Sequence, residues 1–132
     1  MAVTPVATPS APPALGPYSP AVRAGDWLVL SGQVPIDAAT GTFVDGDATT
    51  QARVVLNNIA AILADAGASL ADVAKSLIFL IDLGDFQAVN AVYAEAFGDH
   101  RPARSTVQIA SLPAGARVEI EVWAYSPVPN AP

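Results

Sequence analysis

Between Thr49 and Ala66 apolar side chains recur at Ala52, Val55, Leu56, Ile59, Ile62, Leu63 and Ala66, steps of three and four that line one face of a helix. Gly67 supplies the left-handed stop that ends such a helix. The same period returns at Phe86, Val89, Val92, Tyr93, Ala96 and Phe97, a second buried stripe with Asp85 placed to cap the helix and Gly98 to end it. Elsewhere the pattern is that of strands. "WLVLSGQVP" (Trp27 to Pro35) reads as a buried strand opening into a loop, and "VAKSLIFLI" (Val73 to Ile81) as a central strand covered on both faces. "ARSTVQIA" and "ARVEIEVWAY" follow as two more strands. The last alternates, with Val118, Ile120, Val122 and Ala124 on one face and Glu119, Glu121, Trp123 and Tyr125 on the other. With a short first strand near Ala21 to Ala24, this order predicts an α+β domain in which two helices lie against one sheet.

The 132 residues suffice for one domain. Six of the twelve prolines fall in residues 1–20, which excludes a helix or an interior strand there. We expect a proline-rich arm over 1–15, ordered only near "GPYSP", then a domain over 16–126 and a tail over 127–132. Hydrophobic residues make up 52% and charged ones 14%, too apolar for a lone domain's surface, so part of that surface is expected to form an oligomer interface. The formal net charge is −6 and the basic residues are scattered, apart from Arg101 and Arg104 in "RPARST". A phosphate backbone finds no basic stripe, and no nucleic-acid partner is expected. The absence of cysteine removes thiolate catalysis and disulfides and suits a reducing compartment. Neither a signal peptide nor a membrane span is expected, which predicts a cytoplasmic protein.

Arg104 shares a strand face with Thr106 and Gln108, so its guanidinium projects from a rigid element. It can pair with Glu119 or Glu121 as a structural ion pair, or hold a ligand's carboxylate in two hydrogen bonds. Glu119 and Glu121 lie roughly 7 Å apart on one strand face, a separation that two carboxylates handling water would use and that a plain polar face also shows. Ser31 lacks a nucleophile elbow, and a single histidine, His100, with no cysteine makes a transition-metal site unexpected. Lys75 sits in an apolar strand, as a depressed-pKa amine or as a lysine that snorkels to water. Gly32, after "WLVLS", is placed either to expose backbone N–H groups or simply to turn the chain.

Together, "GPYSPAVRAGDWLVLSGQVP", "FQAVNAVYAEAF", "RPARSTV" and "VEIEVWA" resemble, in order and separation, the RidA (YjgF) family from Gly16 to Ala124. The resemblance implies a chorismate-mutase-like α+β fold, a mixed sheet with two helices packed on one face, and a homotrimer with its sites between subunits. It implies hydrolytic deamination of reactive 2-enamine and 2-imine acids, such as 2-aminoacrylate, to 2-keto acids and ammonia, which protects other enzymes from damage. No cofactor and no metal are implied. Carried over by position, Arg104 binds the carboxylate, Glu119 is the catalytic acid that handles water, and Tyr18 and Ser31 relay protons. Gly32, the backbone amide of Thr106 and Asn90 contact the ligand. Thr106 stands where the family often has cysteine, and Arg101 where an aromatic often stands. The alternative is a non-catalytic trimer that binds or senses small keto or imino acids, or a holdase-type chaperone.

Overall fold

A computed structural model of the protein describes residues 2–129; Met1, at the start of the arm, and the last three residues of the tail lie outside the described residues. Six strands form one sheet in the order β1-β2-β3-β6-β4-β5: β1 (Thr4–Pro5), β2 (Ala21–Ala24), β3 (Trp27–Leu30), β4 (Val73–Leu80), β5 (Ala103–Gln108) and β6 (Val118–Tyr125). The sheet is mixed. β4 and β5 are parallel, joined through the helix α2 (Phe86–Phe97), and the other neighbours are antiparallel. The longer helix α1 (Ala48–Asp65) begins where the Asp47 carboxylate accepts from the Thr50 N–H.

The alternation of β6 sorts the two faces. Val118, Ile120, Val122 and Ala124 are fully buried with Ile78 and Leu80 of β4 and with Val55, Ile59, Ile62 and Leu63 of α1. Each such aliphatic side chain contributes roughly 1.5–3 kcal/mol by leaving water. The opposite face carries Leu77 and Phe79 of β4 and Glu119, Glu121 and Trp123 of β6, all half-buried or exposed. The sequence pattern predicts β4 covered on both sides. The chain's own helices cover one, because both pack on the same face, and Trp27 and Trp123 of the bare face remain 39% and 43% exposed.

The strand from Trp27 ends at Leu30 and opens into a loop, as its pattern predicts, where Gln33 makes a separate two-way bridge with Ile120. Two local expectations are corrected. Asp85 makes no side-chain cap for α2; a short turn over Leu83–Asp85 precedes the helix, and Asp82 caps that turn by accepting from the Gly84 N–H. The arm is tied down well before "GPYSP". Thr4 and Pro5 pair with Arg23 and Val22, and Ser10 donates from its N–H and hydroxyl to the Asp65 carboxylate. A proline is tolerated there because β1 is an edge strand. Among the described residues no helix is long and apolar enough to cross a membrane.

Candidate functional site

Arg104 sits on β5, opposite Ser76 of β4, and therefore on the helix-covered face. Its Nη2 donates to Asn90 Oδ1 at 2.7 Å, and its guanidinium lies 4.9 Å from the Tyr93 ring centre and 5.5 Å from that of Phe86. Phe86, Asn90 and Tyr93 are four and three residues apart on α2, one stripe of the helix, so a single helical face clamps the guanidinium. Tyr93 is itself held by a 2.8 Å hydrogen bond with the buried Ser76 hydroxyl. Of the two readings of Arg104, the ion pair with Glu119 or Glu121 is absent among the described residues; Arg104 meets an amide and two rings, and no carboxylate compensates its charge.

β5 is an edge strand, and its outward hydrogen-bonding groups are open. Ile109 donates to Leu80 of β4, so by alternation the N–H groups of Arg104, Thr106 and Gln108 point away from β4, toward the free edge. The Thr106 amide is thus an available donor two residues from Arg104. Its hydroxyl Oγ1 is buried and finds no partner among the described residues.

The second group of expected residues lies where the β3 end meets β6. The Ser31 hydroxyl donates to the Ser19 carbonyl at 2.7 Å, and the Ser31 N–H donates to the Pro20 carbonyl. Tyr18 Oη accepts from the Leu15 N–H at 3.0 Å, which leaves its own proton free. Gly32 lies against Glu119: a Cβ on Gly32 would sit 2.3 Å from Glu119 Oε2, so only glycine lets the carboxylate lie there. Leu15, Tyr18, Gly32 and Gln33 help line a cleft of about 20 Å³. That is room for about one water. Burial pushes the Glu119 carboxyl above the usual carboxylate range, and the charge of Glu121 adds to the shift.

These two groups do not meet within one chain. Glu119 pairs with Phe79 of β4 on the bare face, whereas Arg104 and Thr106 share the helix face with Ser76 and Ile78. Two strand spacings, about 10 Å, also separate β6 from β5. The structure brings Tyr18, Ser31, Gly32 and Glu119 into one half and Asn90, Arg104 and Thr106 into another, back to back across the sheet.

Phe86 and Tyr93 read from the sequence as buried core, and their place beside Arg104 was visible only as the helical spacing they share with Asn90. Phe86 is in fact 37% exposed. Lys75 donates to Ser105 Oγ at the surface, His100 Nε2 is bonded to the Val73 carbonyl, and Glu121 accepts from the Trp123 indole. Among the described residues no three His, Cys, Asp or Glu side chains are grouped to hold a metal ion.

Known proteins share this arrangement of elements. A family model described as Endoribonuclease L-PSP matches residues 8–126. A RutC family protein of Pyrococcus horikoshii is 50% identical over 118 residues, 89% of this chain and 94% of that protein. The 2-iminobutanoate/2-iminopropanoate deaminase of Salmonella typhimurium is 43% identical over 122 residues, 90% of this chain and 94% of that one. The crystal structure of E. coli TdcF with bound serine superposes with a TM-score of 0.87 at 40% identity, covering 92% of this chain and 98% of that chain.

Proposed function

The chain belongs to the Endoribonuclease L-PSP family, the RidA group of proteins, and from that membership and the two half-sites we propose that it hydrolyses reactive 2-enamine and 2-imine acids to 2-keto acids and ammonia. Arg104 and the Thr106 N–H hold the substrate carboxylate. Glu119, with Tyr18, Ser31 and Gly32, is supplied by a second copy of the chain, in a homotrimer whose sites lie between subunits. The bare apolar sheet face and the back-to-back halves support this assembly, since a small substrate cannot touch both faces of one sheet.

In the reaction the enamine takes a proton on carbon to become the imine. Water adds across the C=N bond, the C–N bond then breaks, and ammonia leaves. Glu119 orients the water and takes its proton. Tyr18 donates, because its oxygen already accepts from Leu15; Ser31 accepts, because its proton is committed to the Ser19 carbonyl. The imine is electrophilic, so positioning and proton transfer suffice. In the cytoplasm such a protein would clear reactive intermediates before they damage other enzymes.

The observation that carries the reading is the half-buried Glu119 lodged against Gly32: a protein that only senses keto or imino acids needs Arg104 and has no use for that carboxylate. A ribonuclease reading is opposed by the net charge of −6, which repels a phosphate backbone. The test generates 2-aminoacrylate in situ with a serine dehydratase and follows its disappearance. Acceleration that is lost in Arg104→Ala and Glu119→Gln supports the deaminase. No acceleration with this or longer imines sinks it and leaves a ligand-binding assembly.

A further inference from the structure

Arg104 is not alone in its cavity. A pocket of about 280 Å³ is lined by Asn90, Tyr93 and Ala94 of α2 and by Arg101, Pro102 and Arg104 of the segment that follows it. That volume lies near the lower end of small-molecule sites. Arg101 Nη1 donates to the carbonyl oxygens of Gly98 and His100, at the C-terminal end of α2. Both bonds use Nη1 and leave the Nε and Nη2 donors of the guanidinium unused. Arg104 is held by Asn90, with donors to spare.

The charge balance around this pair is unusual for such a protein. Acidic residues outnumber basic ones twelve to six, and yet among the described residues neither Arg101 nor Arg104 meets a carboxylate; the ion pair present is Arg53 with Glu95. Three residues of chain keep the two arginine Cα atoms within about 10 Å of each other. Both guanidiniums act on one phenol: burial pushes the Tyr93 hydroxyl up, while the Ser76 hydrogen bond and the charges of Arg104 and Arg101 pull it down. Two cations without a carboxylate partner, lining one cavity, suit two anionic groups on one molecule.

We propose that this pocket selects dicarboxylic 2-imino acids, with the α-carboxylate on Arg104 and the distal carboxylate on Arg101. The inference rests on the deaminase reading and narrows its substrate class to the four- and five-carbon imines formed when the amine of an acidic amino acid is oxidised. An oxidase or dehydrogenase acting on such amino acids is the class of reaction that must supply them. The hydrolysis itself is unchanged: water adds to the imine carbon, ammonia leaves, and the distal carboxylate takes no part. Arg101 is a specificity-determining residue and touches no reacting atom.

The test compares 2-iminoglutarate with 2-iminopropanoate, each made in situ from glutamate or alanine by an amino-acid oxidase with catalase present, on the native protein, Arg101→Ala and Arg101→Lys. The native protein is expected to favour the dicarboxylic imine in kcat/KM by about ten-fold, one charge-assisted contact. Arg101→Ala should erase that ratio through KM on the dicarboxylic imine, and Arg101→Lys should restore part of it. A native ratio near one, or equal losses on both imines, overturns the proposal. If the native protein hydrolyses neither imine, the deaminase reading fails and calorimetry decides the pocket separately. Tighter binding of 2-oxoglutarate than of 2-oxobutanoate, lost in Arg101→Ala, sustains a dicarboxylate site. Equal binding of the two, or inorganic phosphate competing as well as 2-oxoglutarate, overturns it.

Discussion

The guanidinium of Arg104 is held from three sides, by the Asn90 amide and the rings of Tyr93 and Phe86, whereas the carboxylate of Glu119 accepts no hydrogen bond from the described residues and is confined only by the missing side chain of Gly32. One group is a preorganised cation, suited on the proposed reading to binding a carboxylate. The other is a desolvated carboxyl whose pKa is raised by burial and by the charge of Glu121, suited on the proposed reading to exchanging a proton. On the proposed reading, binding and proton transfer sit on different faces of each chain's sheet and come together only between copies.

The largest effects should come from removing either half, with different kinetic signatures. Glu119→Gln is expected to lower kcat by roughly 10²–10⁴-fold with KM little changed, since it removes proton transfer alone. Arg104→Ala should lower kcat/KM by about 100-fold, mostly through KM. Identical signatures would break the division. Gly32→Ala should cost up to about 100-fold in activity at a nearly native melting temperature, because a carboxylate at the end of a flexible side chain can step aside but no longer lies in place. Asn90→Ala frees one side of the guanidinium clamp and should raise KM about five-fold, roughly 1 kcal/mol.

The smallest effects are those of pH. With Glu119 acting as a carboxylate, kcat/KM should fall as pH drops through its raised pKa, a limb higher than an ordinary carboxylate would give, and Glu119→Gln should have no such limb. The stability effect follows from the same shift. A folded-state pKa above the unfolded one makes a contribution that is fully present below the unfolded value and is lost as pH rises through the folded one. Glu119→Gln should therefore melt higher than the native protein near neutrality and lose that advantage in acid, measured by thermal denaturation across pH.

Periodicity alone made most of the fold legible. The stripes from Ala52 to Leu63 and from Val89 to Phe97 became α1 and α2 because one face of each is apolar, and β6 alternates as Val118 to Tyr125 predict. The arm was misread because proline content reports missing donors and cannot report that an edge strand needs few of them. Asp85 failed as a cap because a turn capped by Asp82 intervened. Arg104 and Glu119 could be picked out by residue type and resemblance. Their placement on opposite faces could not, since it depends on the register that sets Arg104 against Ser76 and Glu119 against Phe79. The clamp of Phe86, Asn90 and Tyr93 was hidden because a stripe facing a guanidinium looks, in sequence, like one facing the core.

The central claim is that one active site takes its arginine and its glutamate from different copies of the chain. The direct test co-expresses Arg104→Ala and Glu119→Gln, each strongly impaired alone when substrate is well below KM, and assays imine hydrolysis by the mixed assemblies at such a substrate concentration. With sites shared between copies, random pairing of equal amounts makes about one site in four with both native residues, and roughly that share of native activity should return. If the mixture stays as inactive as its parents, although tagged chains of the two variants purify together, both residues act within one chain and the account is wrong.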